Sequence, residues 1–229
     1  VELYFEHREF NHMKAQIKKL KSASFKKDVV ESYKEVNARE DIKLDSNPNF
    51  LGFENGVYDL NKWKFRDGRP EDYVSMSVGY NYSENYTRKI NDVKQFFKDI
   101  MPIDEEREYL LMLIGSTLIG TNFDEIYSIF TGGMRNGKST LTNILMYTLG
   151  DYYGDIQNTM LTKERPSSNV AQPDLIELIK KRLVISSENE ANQKLNTGFI
   201  KSITGNDRIK CRSLYSNDII TYIPQFKLV

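Results

Sequence analysis

Apolar positions along the 229 residues change their period several times, and each change marks an element. Through about Asn37 the pattern is helical. From Asn47 it switches: Phe50-Leu-Gly-Phe-Glu54 and Val57-Tyr-Asp-Leu60 read as two short strands. Asn55-Gly56 between them predicts a two-residue hairpin turn, because both central positions of a type I′ turn need positive φ. Trp63 to Arg66 adds a strand that ends at Asp67-Gly68. Residues 1–100 therefore predict a small α+β module.

Residues 101–229 follow a different rhythm. Asn91 to Ile100 and Glu105 to Ile119 predict helices. In the second, Leu110, Leu111, Leu113, Ile114 and Leu118 fall on one face, with Asp104 placed to cap it. Glu125 to Phe130 predicts a short buried strand, followed by a glycine-rich turn and a helix from Lys138 to Leu149 that stops at Gly150. A helix over Val170 to Lys180 and a strand over Arg182 to Ser186 continue the alternation. Strand and helix in turn predict an α/β core with a parallel sheet covered by helices.

Composition narrows the picture only slightly. Lys plus Arg and Asp plus Glu are both 32, so net charge names no partner. Lys14, Lys18, Lys19, Lys21, Lys26 and Lys27 gather in the N-terminal helical stretch and read as a solvated face. Cys211 is the single cysteine, which excludes an intrachain disulfide framework. His7 and His12, with no cysteine near them, read as solvated rather than as metal ligands. The longest apolar run, Tyr109 to Ile119, is interrupted by Gly115, Ser116 and Thr117, too short and polar for a bilayer. With no secretory signal, an intracellular protein without a membrane anchor is expected. A start at Val1 and a stop at Val229, within an apolar stretch, suggest an excised piece.

The chemistry concentrates in Thr131-Gly-Gly-Met-Arg-Asn-Gly-Lys-Ser-Thr140. Gly132, four residues, then Gly137, Lys138 and Ser139 match the phosphate-binding P-loop pattern. Glycines let the backbone curl its N–H groups around an anion, and the following helix adds its positive dipole end. Gly132, Gly133, Asn136, Gly137, Lys138, Ser139 and Thr140 are thus candidate ATP-binding residues, with Lys138 reaching the β- and γ-phosphates and Ser139 ligating Mg²⁺. Hydrolysis also needs a carboxylate at the end of a neighbouring strand. Lys181-Arg-Leu-Val-Ile-Ser-Ser-Glu-Asn-Glu190 supplies Glu188 and Glu190, Glu188 being favoured as the Mg²⁺ and catalytic residue.

Beyond them, Arg208, Lys210 and Arg212 alternate with Ile209 and Cys211, so the three cations share a strand face. Ser216-Asn217-Asp218 marks a turn, Ile219 to Ile223 a return strand, and Pro224 its end. Such a hairpin suits the phosphate backbone of a single strand; alternation is equally the mark of any half-exposed strand.

Together these motifs resemble the superfamily 3 helicases, specifically the poxvirus-type primase-helicases of large DNA viruses and phages. Gly133, Asn136, Gly137, Lys138 and Ser139 reproduce the family's G-x-x-N-G-K-S. Arg182 to Glu188 is similar to its acidic strand, and Lys201, Thr204, Gly205, Asp207 and Arg212 to its next motif. Asn47 to Tyr80 looks like its helicase-associated domain. The resemblance implies an AAA+-like core that works as a homo-oligomer, a hexameric ring with ATP between subunits and single-stranded DNA gripped by the hairpin after Asp207. It also implies a site of action in the host cytoplasm or a viral replication site.

The family continues with a polar sensor residue and an arginine finger, which this chain does not reach. Weak nucleotide binding without full ATPase or unwinding activity is therefore expected of these residues alone, since an arginine finger is worth orders of magnitude in rate. A P-loop nucleotide or small-molecule kinase, or a non-catalytic assembly module, remain as rivals. Phosphate release stimulated by single-stranded DNA, on a chain extended past Val229, separates the three.

Overall fold

The computed structural model describes residues 2–37, 42–85, 89–162, 171–186, 193–214 and 218–229, with side chains from residue 10 onward. By its contacts the chain divides into two units, Val1–Lys43 and Leu44–Val229.

The first unit is helical, α1 (Glu2–Lys21) and α2 (Ala23–Asn37). The break falls at Ser22, whose hydroxyl donates to Lys19 O at 2.7 Å and accepts from Phe25 N at 3.2 Å. A serine whose oxygen takes a first-turn amide favours a new helix start over continuation. The six lysines noted above are all exposed.

The second unit opens with an antiparallel sheet, β1 (Phe50–Phe53), β2 (Gly56–Asp59) and β3 (Lys64–Arg66). The hairpin turn lies one residue earlier than the Asn-Gly signal predicts. Phe53 pairs with Gly56, so Glu54 and Asn55 form the turn, and neither has positive φ. Gly56 answers a different need: a Cβ there would stand 2.4 Å from Arg66 O on β3.

Two helices follow, α3 (Ile90–Ile100) and α4 (Asp104–Ser116). Asp104 does not cap α4. Ile103 occupies the cap, and Asp104, inside the first turn, pairs with Arg107. Leu110 is buried while Leu111 is exposed, so the expected apolar face is narrower than its spacing suggested.

Next come α5 (Lys138–Leu149), β4 (Tyr153–Ile156), α6 (Asn158–Thr162), α7 (Pro173–Glu177), β5 (Leu183–Ser186), α8 (Thr197–Thr204), the antiparallel pair β6 (Ile209–Arg212) and β7 (Ile219–Tyr222), and β8 (Lys227–Leu228). The α/β expectation holds: β4, β5 and β8 form a parallel sheet in that order. Among the described residues α7 is far shorter than the helix expected over Val170 to Lys180.

Ile126 to Phe130 is not the regular buried strand expected. It runs alongside β8 through one parallel bridge, Tyr127 to Leu228, and one bond, Ser128 N to Leu228 O at 3.0 Å, with Ile129 exposed. Because β8 intervenes, β5 is one strand removed from this segment and not its neighbour.

Two apolar clusters hold the unit together. One gathers Leu161, Leu175, Val184, Ile203, Ile209, Cys211 and Phe226 beside β8. The other joins Leu51 and Val78 to Leu141, Leu145 and Leu149, so the small sheet shares a core with α5. Four-residue spacing puts those three leucines on one helix face. Tyr152 and Arg182 pin the same junction. Gly52 N donates to the Tyr152 hydroxyl at 2.9 Å, and that hydroxyl donates to Met76 O at 3.1 Å. The Arg182 guanidinium stacks on the Tyr152 ring, 4.7 Å from its centroid, and donates to Leu118 O and Phe50 O.

Candidate functional site

The loop over residues 131–137 turns sharply and delivers the chain into α5. Its glycines have distinct reasons. Gly137 sits at the helix N-cap with φ 87°, a left-handed conformation costly for any residue with a Cβ, and a Cβ there would lie 2.5 Å from Ile100 Cγ2. A Cβ on Gly132 would lie 1.8 Å from Asn136 Nδ2, whereas one on Gly133 meets nothing within 4 Å. Arg135 also takes a positive φ of 60°. No side chain caps the start of α5, and uncapped first-turn amides of this kind suit an anion.

Lys138 folds back over this loop. Its ammonium donates to Gly132 O at 2.7 Å, Gly133 O at 3.1 Å and Asn136 Oδ1 at 3.1 Å. Ser139 and Thr140 are exposed beside it.

Two cavities flank the loop. One of about 560 Å³ is lined by Lys138, Ser139 and Thr142 of α5, by Tyr153 and Asp155 of β4, and by Ile185 and Ser186 of β5. It opens at the C-terminal ends of the parallel strands, where open α/β sheets take their ligands. The other, about 730 Å³ and largely apolar, lies between α4 and the approach to the loop, with Tyr109, Leu110, Leu113, Ile126 and Phe130 in its wall.

Asp155 is a candidate that the sequence reading missed. The Tyr153 hydroxyl donates to Asp155 Oδ1 at 2.6 Å, and burial, with the carboxylate second, pushes that phenol up. The signal for it was the alternation of Tyr153-Gly-Asp-Ile156 directly after the Gly150 stop. Glu188 and Glu190 lie outside the described residues; β5 carries the chain to Ser186, at the cavity wall.

Ile209 and Cys211 are buried, and Arg208 and Lys210 are exposed, as the alternation predicts. Arg212 is half-buried, and its carbonyl accepts from Gln172 N at 2.9 Å. Lys210 and Arg212 lie on β6 and Arg208 just before it, with Arg212 the least exposed of the three. Among the described residues no helix is long and apolar enough to cross a membrane, and no group of His, Cys, Asp and Glu could hold a metal ion.

Fold and site define a mixed α/β protein with a glycine-rich, lysine-bearing loop beside the C-terminal ends of its parallel strands. Residues 5–102 match the family described as D5 N terminal like. A protein of Acanthamoeba polyphaga mimivirus, provisionally named a helicase, is 39% identical over 92% of this chain and 22% of its own length. A second, from Invertebrate iridescent virus 6, is 32% identical over 82% of this chain and 20% of its own length. Primase D5 of fowlpox virus (strain NVSL) is 29% identical, over 78% and 24%. The chain is thus related to helicase- and primase-named proteins of large DNA viruses, and it spans about a quarter or less of these relatives. Among solved structures, the apo C-terminal region of NrS-1 (305–718) superposes over 80% of this chain and 40% of that one, with a TM-score of 0.49 at 14% identity.

Proposed function

We propose that this chain carries the ATP site of a superfamily 3 helicase, a replication motor that couples hydrolysis to movement along single-stranded DNA. One observation carries the reading: Lys138 and Ser139 stand at the uncapped start of α5, below a glycine-shaped loop and at the C-terminal edge of parallel strands.

The residues fit a triphosphate. Gly132 and Gly137 let the loop close against Asn136 and Ile100, where a Cβ would clash, and one ammonium and two hydroxyls stand in the first turn of the helix it enters. In this reading Gly132, Gly133, Asn136 and Gly137 wrap the phosphates, Lys138 leaves its loop oxygens to pair with them, and Thr140 adds a hydroxyl. Ser139 and Glu188 hold Mg²⁺, and Glu190 supports the attacking water. When bound, the Mg²⁺ nucleotide supplies the phosphoryl chemistry; this chain binds, orients and neutralises. The apolar cavity beside α4 takes the nucleoside.

Arg208, Lys210 and Arg212 then grip phosphates of a single strand drawn through a ring of identical subunits, hexameric in keeping with the family resemblance. Fluorescent ATP titrated into this chain tests the site: saturable, Mg²⁺-dependent binding that is lost in Lys138→Ala is expected. No binding, or binding indifferent to that substitution, refutes the reading. On a chain continuing past Val229, phosphate release should rise with single-stranded DNA.

A further inference from the structure

Trp63 departs twice from what its position requires. It lies in the turn between β2 and β3 at φ 51°, a left-handed conformation that suits glycine or asparagine and is costly for a bulky side chain. It is also 70% exposed, so burial of its ring does not offset that cost. Among the described residues its ring stacks on no other, whereas Phe53 and Phe65 of the same sheet and Tyr80 and Tyr82 of the segment after it pack edge-to-face or stacked on one another.

The turn that presents it is nevertheless firmly built. Asp59, 4% exposed, accepts from Asn61 N through Oδ1 at 3.1 Å, and its carbonyl accepts from Lys62 N at 3.2 Å. Its other carboxylate oxygen lies 3.8 Å from Lys62 Nζ. A buried carboxylate thus fixes the turn while the ring stays in solvent. Strain held in place by its surroundings is a mark of residues kept for contact with something else.

The neighbours say what that partner carries. Lys62 and Lys64 are its neighbours in the chain, and Asn61 to Lys64 are all exposed. An outward indole with an exposed lysine on each side of it in the chain matches the chemistry of an unpaired nucleotide: a base face for stacking and phosphates beside it. A protein surface would more often meet such a ring with an apolar rim, which this tip lacks.

We propose that the β2–β3 tip, Lys62-Trp63-Lys64, is a second contact for single-stranded nucleic acid, with Trp63 stacking on a base and the two lysines holding adjacent phosphates. The inference shares its ligand with the motor reading but depends neither on ATP nor on the β6–β7 hairpin.

Trp63 is the only tryptophan in the chain, so its intrinsic fluorescence reports on this tip alone. Titration of the full chain with oligodeoxythymidine should quench that emission, in step with the anisotropy of the same oligonucleotide carrying a dye. Trp63→Ala should weaken binding roughly ten- to hundredfold, and Trp63→Phe should restore part of it. Lys62→Ala and Lys64→Ala should each lower the salt dependence by about 0.7 in log–log slope. Emission unchanged at saturating oligonucleotide, or Trp63→Ala binding as tightly as the parent, overturns the proposal. A tip that is silent toward DNA in a protein still hydrolysing ATP on DNA overturns this inference alone. Quenching in a protein that binds no nucleotide leaves it standing and removes the motor.

Discussion

The Lys138 ammonium lies 2.7 Å from the carbonyl oxygen of Gly132, inside the loop that precedes its own helix. With Gly133 O and Asn136 Oδ1 also in reach, the cation satisfies its three donors on the loop. A phosphate that arrives there competes with neutral oxygens, and a charged acceptor wins such a competition. In the proposed motor, on a chain continuing past Val229, Lys138→Ala is therefore expected to lower ATP turnover by roughly a hundredfold or more, in line with loss of one preorganised donor. Lys138→Arg should keep the charge but not the fit, with an intermediate loss. Phosphate release and fluorescent-nucleotide binding measure both.

The two kinds of glycine in the loop should separate cleanly. Gly137→Ala places a Cβ against Ile100 at positive φ, a strain of about 1 kcal/mol or more, and should weaken nucleotide binding about tenfold. Gly133→Ala meets no atom and should bind nucleotide within about threefold of the parent, allowing for a few tenths of a kcal/mol of backbone effect. Equal losses at both positions would show that the loop reshapes before it binds.

That contrast marks where sequence patterns stop being informative. Residues whose role is set by their chain neighbours declared themselves: Gly137 and Gly150 bracket α5 at Lys138 and Leu149, and Ile209 and Cys211 alternate into the core. Roles set by distant partners did not. Gly56 is required by Arg66 O across the sheet, which moved the turn to Glu54 and Asn55. Ile126 to Phe130 carries strand-like residues but meets only one short neighbour, β8, whose two residues give no periodicity to detect. Asp155 became a candidate only when β4 and α5 closed a cavity around it.

Arg182 is the strongest single tie at the junction of the small sheet and the parallel sheet. It is 3% exposed, has no carboxylate partner in contact among the described residues, and burial pulls it down to about 10, still protonated at neutral pH. Arg182→Ala leaves Leu118 O and Phe50 O without their donor and removes the cover from Tyr152. A loss on the order of 3 kcal/mol is expected, or roughly 6–12 °C in Tm for a protein of this size. Thermal unfolding followed by circular dichroism would detect it; a Tm within about 2 °C of the parent contradicts the assignment.

Stability should also fall in acid through one identifiable pair. Arg66 grips Asp72 with two bonds, at 2.7 and 2.6 Å, and this holds the Asp72 carboxyl below its ordinary value. A depressed folded pKa means that the unfolded chain binds the proton more readily. The contribution is complete above about pH 4, the unfolded carboxylate range, and disappears as pH falls through the lower folded value. For a pair near the surface about 1 kcal/mol is expected. Urea midpoints of the parent and Asp72→Asn should differ at pH 6 and converge toward pH 2; a constant gap would exclude the linkage.

The β6–β7 hairpin supplies the last test, because its three cations differ in exposure. Arg208 and Lys210 reach solvent, while Arg212 is half-buried beside the carbonyl that anchors Gln172. If the face binds a phosphate backbone, Arg208→Ala and Lys210→Ala should each weaken binding of single-stranded DNA and lower its log–log salt slope by about 0.7. Both should leave nucleotide affinity and Tm unaltered. Arg212→Ala should add a stability loss of about 1 kcal/mol, because its Nε lies buried beside the turn of the hairpin. Fluorescence anisotropy across a salt series, paired with thermal melts, resolves the two effects. Three substitutions that all leave DNA affinity and salt slope unchanged would remove this hairpin from the grip and leave the ATP site without its link to the strand.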